Sequence, residues 1–207
     1  MKSYFLLLIT SLFIIGCDSD STTTNVTPGV ADPFITGNYW VYQNTMYSSD
    51  GSIDSSYIDS VAITSTRVEG GTKIIEYSDG HSENIWDAGI WHSSPGEFWY
   101  QFPAKQNDVL YSRTSVPVKV DDQFFAGDIS RYVSKVNDII TTPAGTFSTF
   151  QYYLDITKAG NDTVVSRVID NFSPNIGLIK SELYTTSSLI PPLDIVSRKE
   201  LIRYKLQ

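Results

Sequence analysis

The chain has 207 residues, a net charge of −8 and a single cysteine. Its Lys and Arg are scattered, so no clustered positive surface exists to displace phosphate counterions, which sets nucleic-acid binding aside and disfavours attachment to anionic headgroups through the folded surface. One cysteine cannot form an intrachain disulfide, so the fold relies on its apolar core, and the length is sufficient for one.

The first element is an export signal. Lys2 precedes an apolar run from Tyr4 to Ile15, and Gly16 and Cys17 follow. The run is shorter than the about 20 apolar residues of a membrane-spanning helix. A charged flank, an apolar middle and a small residue before a cleavage point are the parts of a secretory signal. With Cys17 they resemble the lipobox of bacterial lipoprotein precursors. The resemblance implies that residues 1–16 are a lipoprotein signal peptide and that the Cys17 thiol takes a diacylglycerol. The mature chain is then held on its membrane by acyl chains, each buried methylene contributing about 0.8 kcal/mol. An ordinary secretory signal, cut to release a soluble protein, is the alternative; the placement of Cys17 argues against it. Asp18 and Asp20 resemble an inner-membrane retention signal in some bacteria and a surface-display signal in others. The expected location is the cell envelope, at the outer membrane or cell surface rather than the inner membrane.

Residues 17–32 are expected to be a lipidated disordered tether. They hold Ser19, Ser21, Thr22, Thr23, Thr24, Asn25, Pro28 and Gly29 and almost nothing apolar, too little to offset the entropy of ordering. From Pro33 to Gln207 no composition break follows, and a single antiparallel β domain is expected there.

The domain is rich in Tyr, Phe, Val, Ile and Thr, which suit a pleated, half-buried surface. Period-two alternation groups Trp40, Tyr42 and Met46; Tyr57, Val61 and Ile63; Tyr132, Val136 and Ile140; Phe150, Tyr152, Leu154 and Ile156; and Val196, Ile202, Tyr204 and Leu206. Between these runs lie Asp50-Gly51, Gly70-Gly71, Asp79-Gly80, Pro95-Gly96, Pro143-Ala144-Gly145, Gly160-Asn161-Asp162 and Pro174-Asn175. Such turns join strands that pair antiparallel, because parallel pairing needs long crossovers. The expected fold is all-β: an antiparallel meander of roughly nine to twelve strands in a curved sheet or partly open barrel, with a two-sheet sandwich as the alternative.

Motifs for chemistry are sparse. Gly80-His81-Ser82-Glu83-Asn84 approaches the G-x-S-x-G nucleophile elbow, but Asn84 replaces the last Gly and the flanks read as a hairpin rather than a strand–turn–helix. The only histidines are His81 and His92, too few to suggest a triad or a zinc site. Asp50, Ser52 and Asp54, and the pair Asp121-Asp122, do not match a calcium loop. No catalytic residue, metal or cofactor is expected. The glycosylation-type sequons at Asn25, Asn161 and Asn171 carry no weight in a chain of the kind the lipobox resemblance implies.

One stretch is unusual. Three of the four tryptophans, Trp86, Trp91 and Trp99, lie with Phe98, Tyr100 and Phe102 within Ile85–Phe102. Neighbouring strand residues face opposite sides, so Trp99 cannot share a face with both Phe98 and Tyr100. Either the rings fill the core, the commoner use of aromatics in β proteins, or Trp86, Trp91, Trp99 and Tyr100 form a platform for an apolar or sugar-like ligand.

Two segments, Thr141-Thr142-Pro143-Ala144-Gly145-Thr146-Phe147 and Phe172-Ser173-Pro174-Asn175-Ile176-Gly177-Leu178-Ile179-Lys180-Ser181-Glu182, follow Gly37-Asn38-Tyr39-Trp40. Together they resemble the TapB-like group of bacterial lipoprotein domains, with Asn175-Ile176 in place of the usual Gly-Val. The resemblance implies an antiparallel half-barrel related to the LolA/LolB lipoprotein carriers. It implies no activity, and it transfers no catalytic residues. The expected function is a non-enzymatic, lipid-anchored binding or accessory module of the envelope. A structural or interaction role in an envelope complex is the alternative, and a hydrolase is the least favoured reading.

Overall fold

The computed structural model describes residues 33–207 apart from 87–88, 92–97, 121–122 and 187–191, and the side chains of 86, 89–91, 98, 120 and 123 are not described either. The expectations at residues 1–32, Cys17 included, and at Pro95-Gly96 and Asp121-Asp122 lie outside the described residues.

Twelve strands follow one another: β1 Tyr39–Tyr47, β2 Ile53–Glu69, β3 Thr72–Tyr77, β4 Ser82–Trp86, β5 Gly89–Trp91, β6 Phe98–Tyr100, β7 Val109–Val120, β8 Gln123–Thr142, β9 Gly145–Lys158, β10 Val164–Ser173, β11 Gly177–Thr185 and β12 Asp194–Lys205. They form one sheet in the order β6-β5-β4-β3-β2-β1-β12-β11-β10-β9-β8-β7. Two six-stranded meanders therefore run outward from a central seam, where β1 pairs antiparallel with β12. The sheet is all-β and is not closed into a barrel: among the described residues no ladder joins β6 to β7.

Chain length forces the sheet to curl. Laid flat, twelve strands place the two edges roughly 50 Å apart at their usual spacing. The chain crosses from β6 to β7 with residues 101–108 alone, a reach of about 30 Å even when fully extended. The edges must approach each other, and the concave side becomes the core. Phe34, Trp40, Tyr42, Ile63, Ile75, Tyr77, Tyr100, Leu110, Val133, Tyr152, Phe172, Ile179 and Leu201 are buried there in one cluster. A smaller cluster around Val118 and Val165 serves the other end of the second meander. The chain ends are tied together at Asn38, which donates to the Pro33 carbonyl at 2.6 Å and accepts from the Gln207 amide at 2.8 Å.

Two alternation patterns expected from the sequence are broken by bulges, in which an extra residue re-aims the side chains that follow. On β8 the register shifts between Val133 and Lys135 and again before Asp138. As a result Val133, not Tyr132, faces the core, with Val136 and Ile140 packed against it, while the Tyr132 hydroxyl donates to Asp155 on the convex side. On β12 Val41 pairs with Arg203 but Tyr42 with Leu201, so Ile202 is the extra residue. Leu201 thus enters the core alongside Tyr204 and Leu206. Tyr57 shares the parity of Val61 and Ile63 but is exposed, because β3 meets β2 only from Ile63 onward.

Candidate functional site

β1 begins the site. Its alternation turns Trp40 and Tyr42 to the concave side. There the Trp40 indole N–H donates to the Ile176 carbonyl at 2.6 Å and the Tyr42 hydroxyl to the Leu178 carbonyl at 3.0 Å. Both bonds reach across β12 to β11 and the turn before it. Gly177 lies beneath the indole with φ +107°, and a Cβ there would stand 3.5 Å from Trp40 Nε1. This backbone conformation favours glycine, and since a Cβ at that distance would make only ordinary contact with the indole, the conformation rather than the space selects the residue.

Opposite this wall, β3, the β3–β4 turn and the start of β4 supply Tyr77, Asp79, His81 and Glu83. The Tyr77 hydroxyl donates to Glu83 Oε2 at 2.8 Å, and the His81 ring stacks on Tyr77 with centroids 4.2 Å apart. His81 also pairs through Nδ1 with Asp79. The far end is closed by Tyr100 stacked on Phe172 at 4.3 Å. Together the rings of Phe34, Trp40, Tyr42, Tyr77, Tyr100 and Phe172 enclose a cavity of about 140 Å³, with Asp79, His81, Glu83 and Lys199 also lining it.

The cavity is apolar in its walls and its hydroxyls stay protonated. Burial pushes the Tyr42 and Tyr77 hydroxyls far above their ordinary range, and the charge of Glu83 adds to both shifts. Burial, then the neighbouring Asp170 charge, does the same to Tyr100. Burial also acts to raise the Asp79 carboxyl, but bonds from the His81 amide and ring outweigh it and hold the group below the usual carboxylate range.

Behind the cavity lies a buried ion pair. Arg131 on β8 is 1 % exposed. It donates from Nη2 to Asp170 at 2.8 Å and from Nε to the Trp99 carbonyl at 2.6 Å. Asp170 also accepts from the Tyr100 hydroxyl at 3.0 Å. These bonds hold the short edge strand β6 across the concave face and thereby place Tyr100 in the cavity wall.

Of the ligand-binding residues expected from the sequence, Tyr100 lines the cavity. Trp99 packs against the core, with the Arg131 guanidinium 4.9 Å from its ring centre. The side chains of Trp86 and Trp91 lie outside the described residues. Sequence reading assigned Trp40, Tyr42 and Phe172 to strands or turns but not to a site. Alternation shows which side such a ring faces, and only the pairing of distant strands shows which rings share a space. The Gly80-His81-Ser82-Glu83-Asn84 segment is a hairpin turn entering β4, with the Gly80 amide donating to the Tyr77 carbonyl at 3.0 Å. That is the strand–turn–strand context expected, not the strand–turn–helix of a nucleophile elbow. At Asp50, both the Ser52 amide and the Ser52 hydroxyl donate to Oδ1, so the carboxylate closes its own turn. Among the described residues no three His, Cys, Asp or Glu side chains converge as metal ligands do.

No protein-family model matches the chain, and no curated protein matches it either. Two solved structures are distantly similar. A candidate exported protein with a YmcC-like fold from Bacteroides fragilis is 16% identical, with a TM-score of 0.46, over 84% of this chain and 97% of that one. A candidate lipoprotein from Parabacteroides distasonis is 17% identical, with a TM-score of 0.45, over the same shares of 84% and 97%. Neither likeness transfers an activity, a ligand or a location.

Proposed function

We propose that this chain is a lipid-anchored lipoprotein of the cell envelope, displayed at the outer membrane or cell surface, whose β domain is a non-enzymatic binding module. The observation that carries the binding role is the cavity of about 140 Å³ walled by six aromatic rings. Cavities of roughly 150 Å³ take up one benzene-sized molecule, whereas drug-sized ligands occupy roughly 300 Å³ or more. The guest therefore inserts one ring or one short acyl tip, and the rest of it lies over the charged rim. A carrier of whole acyl chains, the role suggested by the LolA/LolB side of the TapB-like resemblance, needs more room than this. The anchoring role rests on the lipobox-like run ending at Cys17.

Two experiments test the two halves. Radiolabelled palmitate should enter the full chain in a bacterial host, and Cys17→Ser should abolish the label; unlabelled wild-type product released into the medium refutes the anchor. A panel of single-ring compounds should change tryptophan fluorescence through Trp40. Val61→Phe, which fills the cavity, should remove the response while the chain stays folded. A response that survives Val61→Phe refutes the site.

A second reading, an interaction component of an envelope complex, is favoured by the convex face. There Tyr132, Tyr153 and Arg167 stand half-buried, the two tyrosine ring centres 5.6 Å apart and the Arg167 guanidinium 4.4 Å from the Tyr153 ring centre, and Tyr and Arg are the residues that most often anchor protein interfaces.

A further inference from the structure

The concave face matches its acids with donors but leaves Asn44 Nδ2 and Arg131 Nη1 buried without acceptors, the first of them beside a lysine. Asp170 accepts from Arg131 and Tyr100, Glu83 from Tyr77, and Asp79 pairs with His81. By contrast, Asn44 Nδ2 is buried with no hydrogen-bond partner. Its cross-strand neighbour on β12 is Lys199. The Lys199 ammonium sits 4.5 Å from the centre of the Tyr42 ring, at the cavity wall, and has no carboxylate beside it among the described residues. An unmet buried donor costs about 1–3 kcal/mol, and an ammonium held over a ring face is attracted to it without gaining a hydrogen-bond acceptor. The unmet demand on this wall is for an acceptor, and the lysine favours one that carries negative charge.

We infer that the guest bears a carboxylate, which docks on Lys199 and Asn44 while its ring enters the aromatic cavity. This rests on the cavity's being a binding site. The electrostatics set the orientation. Glu83 and Asp59 both act on the Tyr42 hydroxyl, so that end of the ring repels an anion, and the carboxylate lies on the β12 side with Lys199. The same chemistry is offered by a free aryl acid and by the C-terminus of a peptide ending in an aromatic residue.

The test is a fluorescence or calorimetric titration of the full chain with phenylacetate and, separately, with phenylacetamide. Phenylacetate should bind at least tenfold more tightly. Lys199→Gln should weaken phenylacetate about tenfold and leave phenylacetamide unchanged, and Lys199→Arg should restore most of the difference. Melting curves of both variants should match the wild type. Equal binding of acid and amide, or no effect of Lys199→Gln, overturns the inference while the cavity reading stands. Silence with both compounds overturns the two together. A peptide ending in Phe, with a free against an amidated C-terminus, separates the sources: tighter binding of the free-acid peptide than of phenylacetate identifies a chain terminus, and the reverse identifies a small acid.

Discussion

The two faces of the second meander carry the same three side-chain types in different surroundings. On the concave face Arg131 meets Asp170 and Tyr100, with side-chain exposures of 1% and 4% for the ion pair. On the convex face Arg167 meets Asp155 and Tyr132, with exposures of 26% and 8%. The outer pair is bidentate, Nε at 2.6 Å and Nη2 at 2.7 Å, and lies 4.4 Å below the Tyr153 ring centre as well. The inner pair makes a single bond, and Arg131 Nη1 is buried with no partner. Burial works against the Arg131 charge, and the adjacent Asp170 outweighs it. The better hydrogen-bond geometry is therefore on the face where an ion pair counts for less. The inner pair matters because water cannot replace either partner, so removing one strands the other.

The largest expected effect comes from breaking the inner group. Asp170→Ala should destabilise the domain by about 3–5 kcal/mol, visible as a Tm lowered by roughly 10 °C or more. Arg131→Met with Asp170→Leu and Tyr100→Phe should recover most of that loss, since no buried charge is then left alone. If the triple variant is no more stable than Asp170→Ala, the inner group is not governed by desolvation. Next comes Gly145→Val, at the turn of the β8–β9 hairpin that carries Arg131, Tyr132 and Asp155. Gly145 has φ +137°, and a β-branched residue there should cost about 1–3 kcal/mol by urea denaturation; an unchanged midpoint contradicts a backbone role. Asp155→Ala should cost about 1 kcal/mol, in the range of partly exposed pairs, and a loss equal to that of Asp170→Ala would erase the contrast between the faces.

The smallest effect is a pH dependence. Burial, then the charge and hydrogen bond of Asp155, pushes the Tyr132 hydroxyl up to about 12, whereas Tyr100 is held well above its ordinary value. A tyrosine raised on folding contributes stability that is complete below its unfolded value near 10 and is lost as pH rises through the folded value. Stability should therefore begin to fall above about pH 10. Tyr132→Phe should flatten the curve between there and pH 12, and Tyr100→Phe should remove a loss of similar slope that continues beyond. Identical curves for the two variants would show that their surroundings do not differ in the way described.

Much of this was readable from residue order. Asp50-Gly51, Gly70-Gly71, Asp79-Gly80, Pro143-Ala144 and Pro174-Asn175 all join adjacent antiparallel strands, because turn chemistry is local. Trp40 with Tyr42, and Phe150 with Tyr152, share the core as alternation requires, because no bulge interrupts them. Tyr132 and Ile202 were misread for the same physical reason: one additional residue in a strand inverts every face after it, and no residue type marks the spot. Of the residues put forward for ligand binding, Tyr100 lines the cavity. The concentration of tryptophans drew attention to β4–β6, yet most of the cavity wall comes from β1, from β3 with the turn after it, and from the facing ends of β10 and β11.

Strand chemistry and turn spacing along the chain were enough to specify an antiparallel all-β meander, since both depend on neighbours in sequence. The pairing of β1 with β12 sets Lys199 against Asn44, and which rings share a cavity and which arginine loses its water were decided by the curl of the sheet. That curl is a property of twelve strands whose edges are joined by residues 101–108, and no single segment contains it.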